Sequence, residues 1–159
     1  MVQTAFLSVT GQKQGKIRGP VTLPGRKDMM TVIAGNHEIV SPRDAASGLP
    51  IGQRLHKPLT IVKEVDCSSS PRLMSALVTN ENLIEVSLQL WQQDRVARDV
   101  LFYTIRLVNA NVSDIRMSLS FDSSSLHPAR EEVTFVYQNI TWTCEPGGAS
   151  VSDDWEARV

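Results

Sequence analysis

Residues 82–93, NLIEVSLQLWQQ, place Ile84, Val86, Leu88 and Leu90 at every second position, with Glu85, Ser87 and Gln89 between them. A period of two belongs to the β-strand, whose successive side chains point to opposite faces. The same alternation recurs in AFLSVTGQ (5–12), TVIAGNHEIV (31–40), RLHKPLTIVKEV (54–65), DVLFYTIRLVN (99–109), ANVSDIRMSLSF (110–121) and EEVTFVYQNITWTCE (131–145). Gly35 marks a bulge or a close backbone approach in its strand, and Pro58 puts its stretch at an edge or a bulge. DRVAR, between two of these strands, reads as a charged hairpin tip. One dry and one wet face per strand fits antiparallel sheets. The expectation from the residues alone is a mainly β chain, a barrel or a sandwich. The 159 residues suit a single domain over 1–159.

One segment departs from the period. SSSPRLMSALVTNEN offers Ser69 or Ser70 as N-cap and Pro71 as the first helical residue, where its missing N–H costs nothing. The spacing predicts a helix over about 70–80, burying Leu73, Met74, Leu77 and Val78 as one stripe.

Net charge −1 argues against a nucleic-acid binder, and no apolar run has the ~20 residues of a membrane helix. The N-terminus lacks the features of a signal peptide, so the chain is expected to begin in the cytoplasm. Cys67 and Cys144 form no C-x-x-C motif and read as free thiols. His37 and Glu38 are adjacent, so a strand turns them to opposite faces and they make a poor pair for one ion. GQKQGKIRG (11–19) lacks the ending of a phosphate loop and reads as a solvated loop. No nucleophile elbow is present, and Asp153-Asp154 read as solvated or salt-bridged acids. Nothing here makes a convincing enzyme, metal site or cofactor site. Trp142 lies on an alternating strand, where packing is the default. Trp155 follows a Gly/Ser-rich stretch, and a ring of that size there calls for a surface to dock on, in this subunit or a neighbour.

Residues 41–53 are loop chemistry, with Pro42, Gly48, Pro50 and Gly52 around Asp44 and Ser47, and they run straight into a strand. A catalytic loop, a ligand lid and an arm gripping another copy are the three readings of the residues alone.

Taken together, NHEIVSPRD, SGLPIGQRLHKPLTI and ITWTCEPGGASVSDDW resemble the haemolysin-coregulated protein (Hcp) family, the inner-tube component of the bacterial type VI secretion system. The opening TAFLSVTGQKQGKI and the helix after SSSP are similar as well. The resemblance implies a small barrel of two sheets with one helix and a long extended loop. It implies six subunits closed into a ring and rings stacked into a tube ejected by a contractile sheath. The lumen would carry or chaperone effectors, and a spike protein would be a further partner. It implies no cofactor and no catalysis. It also implies assembly in the bacterial cytoplasm, then secretion without a signal peptide. The chain runs out at Val159, soon after the tail motif, so no fused effector domain is expected. Departures are Cys144 where the family often has histidine, Cys67 in a linker usually without cysteine, and PVTLPGRKDMM (20–30) without the family's acidic, His-containing stretch.

On this basis residues 42–57 are expected to form a stacking arm through Pro42, Arg43, Asp44, Ser47, Gly48, Pro50, Gly52, Gln53, Arg54, His56 and Lys57. The prolines and glycines fix its shape, and Arg43, Asp44, Arg54 and Lys57 would pair with the next subunit. Asp153, Asp154 and Trp155 form a second candidate contact. Glu85, Ser87 and Gln89 are candidates to face the lumen or the sheath. Two rivals stand beside this reading: a monomeric β-barrel that binds a small ligand, and a secreted hydrolase.

Overall fold

The computed structural model describes residues 2–124 and 126–156; Val159 lies outside them. In chain order the elements are β1 (Gln3–Gly11), β2 (Gly15–Ile17), β3 (Met30–Val32), β4 (Ala34–Asn36), β5 (Ile39–Val40), β6 (Leu55–His56), β7 (Leu59–Glu64), α1 (Ser70–Val78), β8 (Leu83–Gln93), β9 (Asp99–Ser118), β10 (Arg130–Cys144) and β11 (Ser150–Asp154). The chain is mainly β with one helix, as its periodicity indicates. Nine strands form one antiparallel sheet along the path β2-β1-β8-β9-β10-β7-β4, with β3 on β1 and β11 on β10; β5 and β6 make a separate two-stranded ribbon. The two ends of the path meet through one segment. β3 pairs with Ala5–Leu7, β4 pairs with Thr60–Val62, and the Ile33 N–H between them donates to the Val62 carbonyl at 2.8 Å. The sheet is thereby drawn round a common core.

That core takes the inward row of each strand: Leu7 and Val9, Leu59 and Ile61, Val86 and Leu107, Val133 and Phe135 are all buried. Each such side chain contributes about 1.5–3 kcal/mol. Irregular positions reset the alternation. In β8 the partners of Thr10 and Gly11 are Glu85 and Leu83, so Leu83 is buried and Ile84 is turned out, 47% exposed, against the simple inward row expected for it. β9 runs unbroken through 109–110, where sequence suggested two strands; Asn109 has φ 52 with its register kept on both sides, and the shift against β10 comes later, where Thr134 faces Asp114 and Phe135 faces Val112. Conversely, 31–40 and 54–65 are each split, the latter at Lys57-Pro58.

The helix starts at Ser69 with Pro71 in its first turn. Leu73 and Ala76 are its buried residues and Leu77 packs partly, whereas Met74 and Val78 are exposed. Its inward stripe is therefore i, i+3, i+4, and small Ala76 seats it on the sheet. The stretch 11–19 is a β-hairpin rather than a loop. Glu81 holds its turn, accepting the backbone N–H groups of Lys13 and Gln14 at 3.0 and 2.9 Å. Burial pushes Glu81 up, but these bonds outweigh it and keep the carboxylate below its usual range. Gly11 leaves room for this contact, since a Cβ would lie 2.0 Å from the Glu81 carboxylate and would displace it. A second apolar cluster, Phe6, Val21 and Met29 with Trp91, lies apart from the main core. The Arg26 guanidinium sits 4.2 Å from the Trp91 ring and 5.1 Å from Phe6, giving the segment 18–29 a cation–π anchor.

Candidate functional site

The segment expected to be an arm is a continuation of the β5–β6 ribbon. Ile39 pairs with His56 and Val40 with Leu55; beyond them Arg43 bridges Pro50, and the Ile51 N–H donates to Pro42 at 2.8 Å. The tip closes when Gly48 donates to the Asp44 carbonyl at 2.8 Å, with Gly48 at φ 74, a conformation that excludes most side chains. The Asp44 carboxylate accepts the Ser47 hydroxyl at 2.6 Å, which holds it below the usual carboxylate range. The arm is thus a hairpin braced by its own bonds. It leaves Leu49 65%, Ile51 52% and Leu55 52% exposed, with Gly52 and Gln53 also at the surface.

At its base the arm meets the tail. Arg54 makes a forked contact with Asp153, its Nη2 lying 2.7 Å from Oδ1 and 3.0 Å from the Asp154 carbonyl. His56, fully buried, places Nε2 2.7 Å from Asp153 and Nδ1 2.8 Å from the Tyr137 hydroxyl. His37 reaches the same hydroxyl through Nε2 at 2.8 Å. Trp155 stacks on His56, ring centres 5.6 Å apart, and meets Tyr137 edge-on at 4.8 Å. Sequence therefore named Arg54, His56, Asp153, Asp154 and Trp155 as parts of two separate contacts, and the fold joins them in one cluster within the chain. Lys57 likewise pairs with Glu38 at 3.3 Å. The bond from Arg54 sets Asp153 low, at about 2, with burial opposing and His56 assisting. Burial, then the Asp153 charge, raises the Tyr137 hydroxyl, and burial, then His56, lowers His37.

The third candidate set lies on a broad polar face. Across β1, β8, β9, β10 and β11 the register aligns Ser8, Ser87, Arg106, Thr141 and Ser152; the next row is Phe6, Gln89, Thr104, Thr143 and Ser150. Thr141 and Ser152 are bonded at 2.8 Å, and Thr143 and Ser150 at 3.1 Å. Glu85 pairs with Arg106 at 3.0 Å, and Gln89 accepts the Trp91 indole N–H at 3.0 Å. Ser87 is 7% exposed between its strand neighbours, so Glu85 and Gln89 are the open members of that trio.

The sequence reading missed a second buried polar cluster at the foot of α1. Lys63, 1% exposed, contacts Glu131 and lies 3.2 Å from both Asp66 and the Ser70 hydroxyl. Burial raises Asp66, but bonds from Ser69 and Ser68 and the Lys63 charge outweigh it and hold the group at about 2. The signal was available: Leu59, Ile61 and Lys63 share a strand row, as do Glu131, Val133 and Phe135, and opposite charges fall on two otherwise apolar rows. Cys67 and Cys144 are both exposed free thiols.

Comparison with known proteins follows this architecture. The family model described as type VI secretion system effector, Hcp, matches residues 6–144. The major exported protein of Pseudomonas aeruginosa is 38% identical over an alignment of 171 residues, spanning 100% of this chain and 99% of that protein. Among solved structures, secreted protein Hcp3 from P. aeruginosa is 33% identical with a TM-score of 0.79, covering 98% of this chain and 100% of its own. Hcp1 from an enteroaggregative pathovar of E. coli is 28% identical with a TM-score of 0.85, covering 96% of this chain and 98% of its own. The shared fold and the sequence match agree, and the chain belongs to the Hcp family of the type VI secretion system.

Proposed function

We propose that this chain is a structural tube protein, secreted by the type VI system, whose subunits close into hexameric rings that stack. Residues 42–57 act as the arm that docks on a neighbouring copy. The observation that carries this reading is the arm itself, a hairpin ordered by its own hydrogen bonds whose Leu49, Ile51 and Leu55 side chains remain uncovered. A rigid, apolar projection loses little entropy on docking. A ring needs a heterologous interface that closes, and a tube needs a further contact that does not. The charged groups of the arm divide the work. Arg54 and Lys57 are committed within the chain and fix how the arm leaves the barrel. Arg43, Asp44 and Gln53, with Pro42, Ser47, Pro50 and Gly52, shape the projecting part.

The polar face supplies the lumen in this proposal. Its hydroxyls and amides, and its one internally neutralised pair, Glu85 with Arg106, suit cargo that is held weakly and then released. Spike, sheath and effectors are the remaining partners, and the proposal assigns neither catalysis nor a cofactor. Assembly is cytoplasmic and export follows, in keeping with the exported relative.

The test is light scattering with negative-stain imaging of wild type and of Leu49→Ser/Ile51→Ser. Wild type should give a mass near six subunits and rings that stack, while the variant keeps its monomer fold and loses stacking. Unchanged stacking would overturn the arm's role. One observation favours a second reading, a small-ligand barrel. An apolar hollow of about 240 Å³ lies among Ala5, Val32, Leu59, Leu88, Leu90 and Ile105, with Asn36 and His37 on its wall. A strictly monomeric mass, with a thermal shift on adding a small apolar ligand, would select it.

A further inference from the structure

We propose that the His37–Tyr137–His56–Asp153 chain is a proton-operated latch: it holds the tail strand β11 and the arm base together at neutral pH and lets both go in mild acid.

Hydrogen-bond accounting comes first. Asp153 is a carboxylate and accepts, so His56 Nε2 carries a proton toward it. In neutral His56 the Nδ1 atom then accepts from the Tyr137 hydroxyl, and the Tyr137 oxygen accepts from His37 Nε2–H. The bonds run in one direction, and every member is satisfied. One added proton is tolerated. On His37 it leaves the direction intact. On His56 it reverses the chain, with Tyr137 donating to His37. A second added proton is not tolerated in the same way. Both imidazoles would then donate to one phenol oxygen, whose own proton is left with the Lys57 carbonyl 3.5 Å away.

Charge points the same way. The groups facing the two imidazoles are Asp153 and Arg54 from the tail and the arm base, Tyr137 from β10, and the solvent-facing Glu38–Lys57 pair. Asp153 is already engaged by Arg54, so two imidazolium ions would share one carboxylate with a guanidinium. His37 is the group whose neutral form the fold favours, because it is part-buried beside His56. A histidine kept neutral on folding contributes stability that is present above its ordinary value near 6.5 and is lost as pH falls below it.

The consequence is local. The β5–β6 ribbon has no strand pairing to the main sheet, and Arg54 and His56 tie its base to Asp153 and Tyr137. β11 in turn is an edge strand on β10. Opening the cluster therefore frees the tail and the arm's orientation while the main sheet stays paired. Any effect on ring stacking rests on the arm reading above; the latch does not.

The experiment is hydrogen exchange on the full chain as a function of pH, corrected for intrinsic rates, with His37→Gln as the variant. Expected in wild type is opening of Ser150–Asp154 that grows about tenfold per pH unit below the ordinary histidine range, while β8 and β9 stay protected. His37→Gln keeps a donor but binds no proton, so its tail opening should be flat over that window. Tail amides that stay as protected as β8, or a His37→Gln profile that follows wild type, would overturn the latch. Scattering on the same samples separates this result from the stacking question.

Discussion

Two polar clusters are strung along β10 and solve the same problem in opposite ways. Glu131, near its start, meets Lys63 and Ser70 at the foot of the helix, where Lys63 also reaches Asp66. Tyr137, six residues and about 20 Å further on, meets two histidines and Trp155, with Asp153 on the far side of His56. The first cluster is built on a lysine and two carboxylates, residue types whose ordinary titration ranges lie away from neutrality, and Lys63 and Glu131 are almost without solvent. The second is built on imidazoles and a phenol at a seam between arm, tail and barrel. One is a fixed joint and the other an adjustable one. On the latch reading, buried polarity alone does not mark a moving part; the titration range of the residue types and the pairing of the attached elements do.

The largest expected effect breaks the fixed joint. Glu131→Ala leaves Lys63 with Asp66 as its remaining carboxylate, in a place where solvent cannot reach it. The loss in global stability should fall toward the lower end of the about 3–5 kcal/mol typical of an orphaned buried charge. Denaturant unfolding measures it. Adding Lys63→Met should recover most of the loss, because the cost lies in the stranded ammonium. An unshifted midpoint for Glu131→Ala would mean that the joint is ornamental.

Trp155→Ala should have a smaller and more local effect. Aromatic contacts of the kind Trp155 makes with His56 and Tyr137 contribute about 0.5–1.5 kcal/mol each beyond area burial. Exchange at Ser150–Asp154 should quicken by about tenfold or more, with the global midpoint displaced by less than about 1 kcal/mol. A global loss equal to that of Glu131→Ala would erase the contrast between the two clusters.

What the sequence made legible follows the same division. The strands were plain because Val86 and Leu88, or Ile61 and Leu59, keep period two. The places where it failed are local resets such as Ile84, where one extra residue turns a row over, and Asn109, whose positive φ leaves Leu107 and Ala110 both buried; no composition signal announces either. Arg54, His56 and Trp155 were visible as unusual residues in unusual places. Their meeting was not, because it joins positions about a hundred residues apart. Tyr137 gave no separate signal, and His37 stood out only beside Glu38, as a poor pair for a metal ion. A phenol on an apolar row and a histidine beside a glutamate are ordinary until the fold points both at one oxygen. Lys63 and Glu131 were legible in principle, as opposite charges on two inward rows.

Acid should sharpen the comparison at a third level. Asp66 and Asp153 are each held at about 2, against an ordinary value of 3.8. A depressed carboxylate contributes stability that is complete above 3.8 and is lost as pH falls toward 2. Both joints therefore weaken in that window, whereas only the tail cluster responds near the histidine range. A plot of unfolding midpoint against pH should show a modest step at higher pH and a steeper fall below 3.8. Asp153→Asn should remove its share of the lower fall and begin from a less stable tail at neutral pH. A lower fall of undiminished slope would place the acid response elsewhere.

The smallest effect isolates what burial adds to a charge pair. Arg54 and Lys57 stand three residues apart at the arm base, and both reach a carboxylate. The Arg54 side chain is about one-fifth exposed and holds Asp153 by both prongs of its fork. Lys57 and Glu38 are both open to water. Solvent screening and side-chain entropy leave exposed pairs with about 0–1 kcal/mol, so Lys57→Gln should change neither the midpoint nor tail exchange by more than that. Arg54→Lys should matter more despite keeping its charge, since an ammonium cannot reproduce the planar fork that also reaches the Asp154 carbonyl. Tail exchange in the two variants decides it. A response to Lys57→Gln as large as that to Arg54→Lys would mean that net charge at the arm base, not the shape of one guanidinium, holds the tail in place.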